Sequence, residues 1–146
     1  MKKFIAILFV FGFIFSGCKS SYSSYKETTT SLDFREYVKQ GFVIIPATVG
    51  FEYTPVEYTP ISEINVLFYS GNKLPDDLKG KRGIKTSKIW GVTEYHPTSE
   101  RILDKIVEEA KAMGANGIVN FKSSYIKSKN SKGYWEVSGV AVITKQ

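Results

Sequence analysis

The 146-residue sequence predicts an α+β fold: an antiparallel sheet with one principal helix, residues 98 to 113, packed across it. Three observations predict it. Apolar residues recur at helical spacing between Thr98 and Gly114, and the last two segments of the chain alternate apolar and polar residues. Two earlier runs, "FVIIP" and "SEINVLFYSG", are rich in β-branched and aromatic residues and end on Pro or Gly. The chain is long enough for one core, so residues 32 to 146 are read as a single domain.

The first seventeen residues, "MKKFIAILFVFGFIFSG", are excluded from that domain. Lys2 and Lys3 precede an unbroken apolar run from Phe4 to Phe15 that closes on small residues, the pattern of a secretory signal peptide. The run is twelve residues, whereas a membrane-crossing helix needs roughly 20. Cys18, the only cysteine, follows directly. "FSGC" resembles the bacterial lipobox, with Phe15 in place of the usual Leu. That resemblance implies a diacylglycerol thioether on Cys18, which becomes the first residue of the mature protein. At about 0.8 kcal/mol per buried methylene, two or three acyl chains hold a protein on a membrane. Exported proteins tend to pair cysteines or avoid them, which also favours lipidation of a lone one here.

Removing the signal segment corrects the charge. The full chain has 20 Lys and Arg against 14 Asp and Glu; without Lys2 and Lys3 it has 18 against 14, or +4. The basic balance is therefore no nucleic-acid footprint, and no nucleic-acid partner is expected.

Residues 18 to 31 are rich in Ser, Thr and Lys and read as a flexible tether after Cys18. "SLDFREYVKQG", 31 to 41, is a short helical or irregular segment ending at Gly41, and 42 to 46 is a strand buried on both faces. In "EYTPVEYTPI", 52 to 61, a five-residue unit occurs twice. It is either a repeated ligand-binding element or an extended edge, since Pro55 and Pro60 cannot donate to a ladder. Residues 62 to 71 form a long strand in which Ile64, Val66 and Phe68 alternate with Asn65, Leu67 and Tyr69.

Residues 72 to 88 are punctuated by Pro and Gly and carry Lys79, Lys81, Arg82, Lys85 and Lys88, a solvated basic loop. "IWGVTEY", 89 to 95, is a strand interrupted at Gly91. The helix follows, with Thr98 or Ser99 as N-cap and Gly114 as its stop. Its stripe is Ile102, Leu103, Ile106, Val107, Ala110 and Met113, with Arg101, Asp104, Lys105, Glu108 and Lys111 away from it. Val119, Phe121 and Tyr125 share one face of the next strand. Trp135, Val137, Gly139, Ala141 and Ile143 share one face of the last, and the two make a hairpin.

Residues 110 to 145 resemble the closing half of the YbjQ-like family, which is named for heavy-metal binding. The resemblance rests on Ala112-Met113-Gly114-Ala115-Asn116, the strand after it, and Ser138-Gly139-Val140-Ala141-Val142, with Val140 in place of the usual Thr. A more distant resemblance is to the envelope-stress lipoprotein RcsF, whose disulfides this chain cannot form internally. What the likeness implies is a fold, with Gly114 as a left-handed helix stop and Gly139 allowing close approach to the helix, and a tendency to form homo-oligomers.

Chemistry is sparse. Zinc or copper sites take three or four converging Cys, His or carboxylate ligands. The mature chain offers His96 alone, read as a surface or capping histidine. No metal, no cofactor and no catalytic residue is therefore expected, and the one assigned site is lipid attachment at Cys18. The sequence lacks a Gly-x-Ser-x-Gly elbow and a phosphate-cradling glycine loop. The reading is a non-enzymatic binding or assembly module, lipid-anchored in the cell envelope. Its expected partners are the membrane and either copies of itself or an envelope protein, and the outer membrane is favoured by Lys19 after the cysteine. The alternatives are an envelope stress sensor or small-ligand-binding lipoprotein and, behind them, a hydrolase, which would need a cleft gathering His96 with acids.

Overall fold

A computed structural model describes residues 25, 27, 29–47, 56–127 and 132–145. The signal segment, Cys18, most of the tether and the first half of the "EYTP" repeat lie outside the described residues. None of the described helices is long and apolar enough to cross a membrane.

The α+β class and the packed principal helix are as expected. A four-stranded sheet has the order β1-β5-β6-β2, formed by β1 (Val43–Pro46), β5 (Gly117–Ile126), β6 (Tyr134–Thr144) and β2 (Tyr58–Tyr69). β5, β6 and β2 pair antiparallel, β5 and β6 forming the expected hairpin, whereas β1 pairs parallel with β5, so the sheet is mixed. The second sheet is a two-stranded hairpin of β3 (Ile84–Ile89) and β4 (Val92–Pro97). A short helix, α1 (Arg35–Lys39), precedes β1 and ends before Gly41, whose φ is +75°. The main helix, α2 (Ser99–Ala112), lies on the large sheet, and the core forms between them.

α2 follows its stripe. Ile102, Leu103, Ile106, Val107 and Ala110 are all buried, each large side chain stabilising the fold by roughly 1.5–3 kcal/mol. Met113 is exposed instead, because the helix has ended: the Gly114 and Ala115 amides donate to the carbonyls of Lys111 and Ala110, a Schellman turn that uses the +81° φ of Gly114. Arg101, expected on the wet face, is 6 % exposed. It is the residue on which Gly83 packs, and its guanidinium reaches Glu108 at 3.5 Å.

β5 departs from simple alternation. Asn120 adopts a left-handed φ of +55°, and the register slips between Val119 and Lys122, a bulge that adds one residue. Ile118, not Val119, therefore joins Phe121 in the core cluster. Gly139 stands opposite the bulge. A Cβ there would lie 2.5 Å from Ile118 Cγ2, so its openness accommodates the neighbouring strand rather than the helix. On β6, Val137, Gly139 and Ala141 are buried as expected, but Ile143 is 48 % exposed, and Val142 and Thr144 are buried in its place. Pro60 sits at a register shift of β2, an edge strand, which accords with the extended-edge reading of the second "EYTP" unit.

The basic loop is shorter than expected. Residues 84–89 are β3, and Gly91, instead of interrupting a strand, turns one strand into the next together with Trp90. The hairpin is clasped to the end of β2 by reciprocal hydrogen bonds, Gly71 N–H to Tyr95 O at 3.2 Å and Tyr95 N–H to Gly71 O at 2.7 Å. Thr98 N–H and Oγ1 both bond to the carbonyl of Gly83, so the hairpin also reaches the start of α2.

Candidate functional site

The Gly71–Tyr95 clasp brings the end of β2 against β4, and with it Ser70 against His96. On the β3–β4 hairpin, Lys85 lies opposite His96 and Ser87 opposite Glu94. Residues two apart on a strand share a face, so Lys85, Ser87, Glu94 and His96 all stand on one side of the hairpin.

His96 is held at both ring nitrogens. Ser87 Oγ lies 2.8 Å from Nε2 and Ser70 Oγ lies 2.8 Å from Nδ1. A neutral imidazole can donate from one nitrogen and accept at the other, so two rotatable hydroxyls satisfy either tautomer. The side chain is 27 % exposed. It is therefore neither a surface histidine nor a cap: it is a strand residue, and the N-cap of α2 is Thr98, whose hydroxyl bonds to Gly83 and not to the helix.

Behind the ring, buried Glu94 places Oε2 3.6 Å from His96 Nε2, and its other oxygen takes a hydrogen bond from Lys132. The Lys132 ammonium holds the Glu94 carboxyl below the usual carboxylate range, so Glu94 stays ionised.

His96, Ser70 and Ser87 line a cleft of about 730 Å³. One wall is aromatic, with Tyr125 half exposed and its ring 5.4 Å from that of Trp135 in an edge-to-face contact. Leu32 and Ile102 add apolar surface, Lys85 supplies a cation, and Ser123, Thr98 and Ser99 supply hydroxyls. A hollow with an aromatic wall and polar groups converging from several elements has the form of a small-molecule site, here with more hydroxyls than most.

In a hydrolytic triad the acid orients the imidazole from the nitrogen opposite the nucleophile. Here Glu94 approaches the nitrogen that Ser87 bonds; relative to Ser70 it stands on the opposite nitrogen, but at 3.6 Å it is beyond hydrogen-bond reach and Ser87 occupies that nitrogen. Nδ1 meets a neutral hydroxyl.

A second polar cluster lies on the other side of the α2 N-terminus. Arg82 makes a bidentate pair with Asp104, Nε to Oδ2 and Nη2 to Oδ1 both at 2.8 Å, and reaches Glu36 at 3.0 Å. Tyr37 donates to Asp104 at 2.6 Å. The Arg82 hydrogen bonds hold the Asp104 carboxyl below its ordinary range, and burial above all pushes the Tyr37 hydroxyl up. Every member has a partner, so the cluster is a staple between α1, the loop before β3, and α2.

Among the described residues no three His, Cys, Asp or Glu side chains converge as a metal cage. Cys18 lies outside the described residues. No family model matches the chain, and no curated protein is found similar to it.

The sequence reading missed this site because its three central residues come from three strands, β4, β3 and the end of β2, and isolated serines carry no spacing signature. One signal was present: in "EYH" the polar residues flank Tyr95 at period two, and pairing across a two-residue Trp-Gly turn sets Ser87 on the face of His96.

Proposed function

We propose that the chain is a lipid-anchored protein of the cell envelope whose folded part binds a small hydroxylated ligand in the His96 cleft and performs no reaction on it. The observation that carries the binding role is His96, fixed at both ring nitrogens in a cleft with an aromatic wall. Rings such as those of envelope glycans offer an apolar face for Tyr125 and hydroxyls for Ser70, Ser87 and Lys85. The anchor rests on "FSGC" and the apolar run before it. Two or three acyl chains suffice for attachment, which leaves the folded part free for a partner, a second copy of the chain or another envelope protein.

The binding role is tested by titrating the Trp90→Phe protein, whose remaining tryptophan is Trp135, with N-acetylglucosamine oligomers. A saturable change in emission that His96→Ala weakens tenfold or more is expected, since loss of the ring leaves Ser70 and Ser87 without the partner that positions them, and an unsatisfied polar group costs about 1–3 kcal/mol. An unchanged spectrum at millimolar sugar, or covalent labelling of Ser70 or Ser87 by a fluorophosphonate, would overturn it. For the anchor, radiolabelled palmitate should enter the protein in bacterial cells, and Cys18→Ala should abolish incorporation and leave an unprocessed precursor. Labelling that survives the substitution would place the acyl group elsewhere.

A further inference from the structure

The tip of the β3–β4 hairpin carries the most exposed large side chain described: Trp90 is 98 % exposed, with Val92 beside it at 53 %. The turn is built from Trp90 at φ +54° and Gly91 at φ +79°, both left-handed, closed by the Ile89–Val92 pair. Such turns favour Asn or Gly at the first position, because a side chain there is strained. Trp90 therefore occupies a costly conformation and gains no packing from the fold in return.

The charge around it is of one sign. From Ile84 to Thr93 the hairpin has Lys85 and Lys88 and no acidic residue. Lys79, Lys81 and Arg82 in the preceding loop are paired with Asp76, Glu108 and Asp104. Lys88, two residues from Trp90, is exposed and carries no ion pair among the described residues, whereas Lys85 lies further down the hairpin on the His96 face.

We infer that this tip is a membrane-contact element, in which the Trp90 indole enters the interfacial region of an anionic bilayer and Lys88 meets its phosphates. Three points favour lipid over protein. An indole is apolar in body with one N–H donor, the chemistry that seats Trp at bilayer interfaces. One Trp offers about 150–250 Å² of apolar surface, against the roughly 800 Å² per partner of a stable protein interface, and lipid needs no matched surface. Cations near an anionic leaflet strengthen such contact. Where the indole sits is independent of what tethers the chain, so this contact stands apart from any lipid on Cys18.

The full chain is mixed with vesicles of phosphatidylcholine and phosphatidylglycerol bearing brominated acyl chains, which quench only a lipid-embedded indole. The Trp90 contribution is the difference between the native protein and Trp90→Phe, a change at a side chain the fold does not use. That contribution should shift to the blue and be quenched, while the Trp135 emission left in Trp90→Phe should be unaffected. Lys88→Gln should require about fivefold more anionic lipid for equal quenching. Trp90 emission identical in buffer and in vesicles overturns the inference. So does a blue shift that grows with protein concentration in vesicle-free buffer, which would assign the tip to a second copy.

Discussion

Two glycines of identical backbone sign separate conformational strain from steric conflict. Gly80 has φ +79° with nothing within 4 Å of where a Cβ would stand, and Gly83 has φ +76° with the Arg101 amide nitrogen 2.4 Å from the same point. Gly80→Ala pays only the left-handed penalty, about 1–2 kcal/mol. Gly83→Ala adds overpacking of about 1–3 kcal/mol, because the obstacle is helix backbone and not a movable side-chain tip. Urea unfolding should therefore show a clearly lower midpoint for Gly83→Ala than for Gly80→Ala. Equal midpoints would mean that the β3 lead-in does not press on α2 in solution.

At the scale of elements, the Tyr37–Asp104–Arg82–Glu36 staple gives stability a pH profile with two limbs. Asp104 has a folded pKa below its unfolded value of about 3.9. Its contribution is thus complete above that value and is lost as pH falls through the lower folded one. Tyr37 has a folded pKa above its unfolded value of about 10. Its contribution is complete below pH 10 or so and declines as pH rises through the folded value. Thermal unfolding across pH should show both limbs, with Asp104→Asn flattening the acid one and Tyr37→Phe the alkaline one. An acid limb unchanged in Asp104→Asn would move its origin to other carboxylates. These elements were unequally legible in sequence. α2 declared itself because five buried positions, Thr98 at the N-cap position and a stopping Gly114 agree on one period. β3 did not, because "IKTSKI" lies among lysines and a Trp-Gly turn lacks the Asn or Asp that usually marks a two-residue hairpin. In β5, a single left-handed Asn120 reversed the facing of every residue before it, which no period-two pattern reports. Only part of the His96 site was legible, the shared face of Ser87 and His96, because the contact with Ser70 depends on how the end of β2 meets β4, and that is set by the Gly71–Tyr95 clasp.

On the scale of the whole molecule, a large sheet with α2 on it carries a small hairpin that contributes one wall of the cleft and the Trp90 tip. The two proposed contacts, ligand and lipid, therefore fall on the same small unit, while the core residues Phe42, Ile106, Ile118, Val137 and Val142 lie in the larger body. The hairpin's only described backbone bonds to β2 are the pair between Gly71 and Tyr95. Ser70 is adjacent to one of them and His96 to the other, so the clasp cannot part without separating the serine from the imidazole. Amide deuterium uptake at Gly71 and Tyr95 thereby becomes a direct readout of site occupancy: any molecule that needs the intact Ser70–His96 contact must slow it, in proportion to one plus its concentration over its Kd.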